Sequence, residues 1–130
     1  MLPHERLSKV YDHALAVGVE SLTNDERDLY LIQDFIIELE MGGLSGYFYN
    51  RLPLKNRIQA AVSAMRKYGL DELAELLSEA YQLFGAYSET DVANTWSEIL
   101  QRHDPSNRLA VIEKKIDAIE NYGIDGSSIK

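Results

Sequence analysis

The chain contains no cysteine. That excludes a disulfide scaffold, a thiolate zinc site and a thiol nucleophile, and it fits a reducing compartment. Long apolar runs are missing too. Stretches such as "LYLI" and "FII" fall far short of the roughly 20 residues that cross a bilayer. The first residues, "MLPHERLSKV", carry charge where a signal peptide needs an apolar segment. These absences predict a cytoplasmic, bacterial-type soluble protein with no membrane contact. A further gap is local. Between Lys67 and Arg102 there is no Lys or Arg, whereas Asp71, Glu72, Glu75, Glu79, Glu89, Asp91 and Glu98 all fall there.

What is present describes one globular domain. The 130 residues are 45% hydrophobic and 26% charged, which suits a single core rather than a disordered chain. Net charge is −8, and it is laid out in blocks. Residues 1–40 hold 3 basic and 9 acidic groups. Residues 41–70 hold Arg51, Lys55, Arg57, Arg66 and Lys67 and no acid. Residues 71–130 hold 5 basic and 12 acidic groups. Such blocks either steer a partner of opposite sign or pair with one another, within one chain or across a dimer.

Apolar positions return every three or four residues throughout, and no alternation lasts long enough for a strand. The pattern predicts an all-α fold, a single compact domain of six or seven helices over residues 1–130, with 124–130 as a frayed tail. A first helix spans 5–17, with Leu7, Val10, Tyr11, Ala14 and Val17 inward and Gly18 at its end. Thr23 then caps a second helix, because Glu26 three residues later completes a capping box. Leu29, Ile32, Phe35, Ile36 and Leu39 are its apolar stripe. Gly42 and Gly43 supply the stop. Pro53 suits the first turn of a third helix, which buries Ile58, Ala61, Val62 and Met65. After a turn at Gly69, a fourth helix buries Leu73, Leu76, Leu77, Ala80 and Phe84. A shorter one, capped by Ser88 or Thr90, turns Val92, Trp96, Ile99 and Leu100 inward. The last runs from about Asn107 to Tyr122.

Catalytic patterns are absent from this sequence. His4, His13 and His103 form no i, i+4 pair and no HExxH, so they read as ordinary surface histidines. "GLSGY" lacks the spacing of a nucleophile elbow and has no strand before it. Gly42, Gly43 and Gly46 do not make GxGxxG. The reading is a non-enzymatic protein without metal or cofactor.

Two stretches remain. On a helical wheel at about 100° per residue, Asp71, Glu75, Glu79 and Glu72 fall within about 100° of one another, away from the apolar stripe. Successive members rise about 4.5–6 Å, of the same order as the roughly 3.4 Å between phosphates along a DNA strand. Like charges so placed repel, so the stripe is either a solubility face or a docking face for a basic partner. The second stretch is "MGGLSGYFYN", Met41 to Asn50. An aromatic run beside Arg51, Lys55 and Arg57 could stack nucleic-acid bases. The acidity of the chain opposes that, and Leu44, Tyr47 and Phe48 share one helical face, so they read as core.

"SLTNDERDLYLIQDFIIELEMGGLSGYFYN", followed by "MRKYGLDELAELLSEAYQLF", resembles the bacterial DNA-mimic protein family, in its C-terminal-type domain, otherwise classed as a domain of unknown function. The likeness lies in the capped helix after "SLT", the Gly-Gly step, the aromatic-aromatic-x-Asn stretch (Tyr47, Phe48 and Asn50) and the "ELL..A..LF" helix. It covers about residues 6–105. Met41 and Gly46 depart from it, standing where the family usually carries Asn and Gln. The resemblance implies a helical protein whose acidic surface imitates DNA and occupies a basic DNA-binding regulator, without binding nucleic acid itself. Together with the opposed charge blocks it raises a homodimer as an expectation. On this reading Asp71, Glu72, Glu75 and Glu79 contact the partner, with Glu89, Asp91 and Glu98 nearby, and Gly42, Gly43, Tyr47, Phe48 and Asn50 are a structural motif. The alternative is an immunity or regulatory protein that binds its partner by shape, with charge incidental.

Overall fold

The computed structural model describes residues 2–54, 56–88 and 95–124. Within them the chain forms six α-helices: α1 (His4–Val17), α2 (Asn24–Arg51), α3 (Arg57–Lys67), α4 (Asp71–Gln82), α5 (Trp96–His103) and α6 (Arg108–Asp117). Short 3-10 turns follow α1 and α6. The described residues include no strand. Helix α2 runs through the middle, packed against α1, α3 and α6, and α4 closes the far side between α3 and α6. One apolar core joins them all. Phe35, Leu44, Tyr47, Phe48, Met65, Leu77 and Ile112 are fully buried within it.

Helix α2 starts as its sequence predicts. The Glu26 amide donates to the Thr23 hydroxyl at 3.2 Å, and the Thr23 amide donates to the Glu26 carboxylate at 2.9 Å. These bonds hold the Glu26 carboxyl below its ordinary 4.5, the Thr23 amide contributing most. Helix α5 repeats the device with Thr95 and Glu98, so its cap is Thr95 rather than Ser88. Thr90 and Val92 lie outside the described residues. Hydrogen bonds from the Thr95 hydroxyl and amide hold Glu98 below 4.5 as well. Both boxes are complete above that value and weaken as the pH falls through the depressed folded-state pKa. Thr23→Ala is expected to cost about 1 kcal/mol, readable as a shift of the urea midpoint at unchanged slope.

Several sequence expectations move. Pro53 lies in the turn after α2, and α3 begins at Arg57 behind Asn56, whose φ of 62° is left-handed. Val17, expected to face inward, is the last residue of α1 and is 44% exposed. Helix α6 ends at Asp117, and a 3-10 turn over Glu120–Gly123 replaces its predicted last turn. Ile124, assigned from sequence to the tail, is buried. His103 is a buried ring rather than a surface one, lying 5.6 Å from Phe84 between ring centroids.

The Gly-Gly step bends α2 instead of ending it. Gly42 keeps helical geometry, while Gly43 takes φ 70°, ψ −176°, and helix resumes at Leu44. This combination is open essentially to glycine alone. The residues after the bend are held by two later helices. The Leu44 amide donates to the Glu113 carboxylate on α6 at 2.5 Å, and the Trp96 indole on α5 donates to the Ser45 hydroxyl at 2.9 Å. Glu113 thus caps a helix formed 69 residues earlier in the chain.

Candidate partner-binding surface

The bend decides the fate of the aromatic run. Past Gly43 one helical face carries Leu44, Tyr47 and Phe48 into the core. The Tyr47 ring meets Phe35 edge-on at 4.8 Å, and Phe48 stacks on Phe84 at 5.0 Å. Tyr49, on the opposite face, is exposed and meets Trp96 at 5.6 Å. Tyr47 and Phe48 are therefore core packing residues. Burial pushes the Tyr47 hydroxyl up, helped by the Asp34 charge. Asn50 donates to Glu38 at 2.6 Å.

The basic block is engaged inside the molecule. Asp34, almost wholly buried, accepts two parallel hydrogen bonds from Arg51, both 2.8 Å, and Arg57 approaches the same carboxylate at 3.6 Å. That bidentate bond raises the Arg51 pKa, despite the cost of burial. Lys67 bridges Asp25 and Asp28 at the start of α2, and those two hydrogen bonds raise its pKa. Arg66 reaches Glu75 at 2.8 Å. Each described cation of residues 41–70 thus has an acidic partner in its own chain. Lys55 lies outside the described residues.

These pairings change the predicted acidic stripe. Asp71, Glu72, Glu75 and Glu79 do share the outer face of α4. Glu75, however, is neutralised by Arg66, and Glu79 by Arg108 on α6 at 2.9 Å. The sequence of α4 contains no cation, but its neighbours supply two. Asp71 and Glu72 make no ion pair among the described residues and remain exposed at the N-terminus of α4, where their charge also favours the helix dipole. Glu98 is committed to the cap of α5. Glu89 and Asp91 lie outside the described residues.

Other unpaired carboxylates lie around the turn that packs against the start of α4. The preceding residue, Leu70, packs against the Glu120–Gly123 turn, its side chain at the position a Gly123 Cβ would meet. In that same turn the Tyr122 hydroxyl is pushed up by burial and then by the carboxylates of Glu40 and Asp117. Glu40, Asp117 and Glu120 are exposed and form no ion pair among the described residues. Sequence reading missed the approach of Glu40 on α2 and Asp117 at the end of α6 to the same Tyr122 hydroxyl, and Glu120 opens the turn that carries it.

A protein-family model described as DMP19-like protein matches residues 20–125. The chain belongs to the DMP19-like family. The matched span starts later and ends later than the 6–105 of the sequence likeness, and so takes in α6 with its Glu113 cap. No curated protein and no solved structure matches the chain. In this DMP19-like chain no group of three or more His, Asp or Glu among the described residues could hold a metal ion. None of its described helices is long and apolar enough to cross a membrane.

Proposed function

We propose that this protein is a non-catalytic, acidic protein-binding domain, a DNA mimic that occupies the nucleic-acid-binding face of a basic regulator. The observation that carries the reading is the internal use of the 41–70 cations. With Arg51, Arg57, Arg66 and Lys67 engaged by acids of their own chain, none of these four is left as a free cation to offset the net charge of −8. Asp71 and Glu72, together with Glu40, Asp117 and Glu120 around the neighbouring turn, are exposed carboxylates without an ion pair among the described residues, able to meet a partner's Lys and Arg. The family membership supports the same class of partner.

The test uses two variants. One carries Asp71→Asn, Glu72→Gln, Asp117→Asn and Glu120→Gln; the other carries Glu75→Gln and Glu79→Gln. A DNA-binding protein captured from lysate by the wild type is expected to be displaced by duplex DNA and by salt. Its affinity should fall about tenfold or more for the first variant. The second should lose less, because its carboxylates already face Arg66 and Arg108. An affinity that stays flat from low to high salt would remove the mimicry reading. The neutralisation of Glu75 and Glu79 favours binding by shape as the second reading, and a flat salt response would select it.

A further inference from the structure

The face formed by α3 and α4 has a feature that mimicry does not use. The helices are joined by residues 68–70 and run antiparallel. The short connection and the buried apolar seam set their register, which the Arg66–Glu75 ion pair marks on the surface. Counting outward from that pair places Ser63 opposite Ser78 and Gln59 opposite Gln82. All four line an open groove of about 610 Å³, within the size range of ligand sites. Tyr81 adds aromatic surface, the buried Phe84 lies at the floor, and none of the described lining residues is charged.

We propose that this groove binds an extended, uncharged segment of a partner polypeptide. The Ser–Ser and Gln–Gln rungs lie four residues apart on each helix, a rise of about 6 Å. Alternate residues of an extended chain repeat at about 6.6 Å, so successive same-side groups of the guest meet successive rungs. A Gln side-chain amide offers both donor and acceptor, which matches the N–H and C=O of a peptide unit. A charged guest would find no counter-ion among the described lining residues, so these walls select a neutral one. The site is independent of the acidic surface, and either can fail without the other.

The probe is an immobilised library of hexapeptides blocked at both ends, screened against the full chain. Retained peptides should be uncharged, and their affinity should change less than about twofold between 50 and 500 mM salt. In a titration followed by NMR, the side-chain amides of Gln59 and Gln82 should shift. Ser63→Arg, at an exposed position, should weaken binding at least tenfold without changing the melting temperature. The Asp71, Glu72, Asp117, Glu120 variant should bind the same peptides as the wild type. Four outcomes would overturn the proposal: no retained peptide, basic peptides with steep salt dependence, shifts mapping elsewhere, or shifts produced by cellohexaose and by no peptide.

Discussion

Asp34→Ala is expected to destabilise the domain by about 3 kcal/mol, since breaking a buried ion pair strands the remaining charge. The carboxylate is 4% exposed, and it ties Arg51, near the end of α2, and Arg57, in the first turn of α3, to the middle of α2. Without it, two guanidinium groups, each about a quarter exposed or less, face a site that no longer accepts their hydrogen bonds. Glu38 lies 3.9 Å from Arg51 and can recover part of the loss. Arg51→Met is expected to cost less than Asp34→Ala, because Arg57 still covers the carboxylate and the substitute keeps an apolar stem. Urea unfolding of both variants checks the order, and equal losses would mean that Arg57 contributes nothing to the site.

The second large effect separates two adjacent glycines. Gly43→Val is expected to cost about 3 kcal/mol or more, and on the order of 10 °C in melting temperature for a domain of this size. Two causes add. The backbone conformation at φ 70° is closed to a β-branched residue. A Cβ there would also lie 2.9 Å from the Glu113 carboxylate oxygen, pushing aside the group that caps Leu44. Gly42→Ala should do the opposite. Its backbone is helical, nothing lies within 4 Å of an added Cβ, and alanine stabilises a helix interior by about 0.5–1 kcal/mol relative to glycine. If both substitutions destabilise equally, the bend does not reside at Gly43.

The two glycines show where sequence reading reaches and where it stops. Local signals were legible. Thr23 and Glu26 announce a capping box, Gly18 and Gly69 mark turns, and the stripe from Leu29 to Leu39 is buried as its spacing requires. The aromatic run resolves correctly into buried Tyr47 and Phe48, because the helical wheel puts them on the face of Leu44. The Gly-Gly step itself reads as a terminus because its sequence holds no sign of Glu113, a distant residue that lets helix resume at once. The acidic stripe has the same difficulty. Its lack of Lys and Arg is real along α4, yet Arg66 and Arg108 arrive from other helices, and only the register of the packed molecule brings them to Glu75 and Glu79. The approach of Glu40 to the end of α6 is likewise tertiary: Asp117 and Glu120 are three residues apart in the chain, but nothing in the sequence brings Glu40 to them.

The Glu113 cap also bears on the order in which the protein can mature during synthesis. The bend at Gly43 depends on a carboxylate that leaves the ribosome 69 residues after Leu44. Until then the second half of α2 has an uncapped N-terminus, and Ser45 lacks the Trp96 indole. The nascent chain can build the pairing of α1 with the first half of α2 and bring Phe35 and Phe84 to Tyr47 and Phe48, but the cap at Leu44 and the bond to Ser45 must wait for α6 and α5. Ribosome-bound chains ending near residue 105 therefore lack the Glu113 cap, and the core still misses Leu109, Ile112 and Ile116 until the last helix is free.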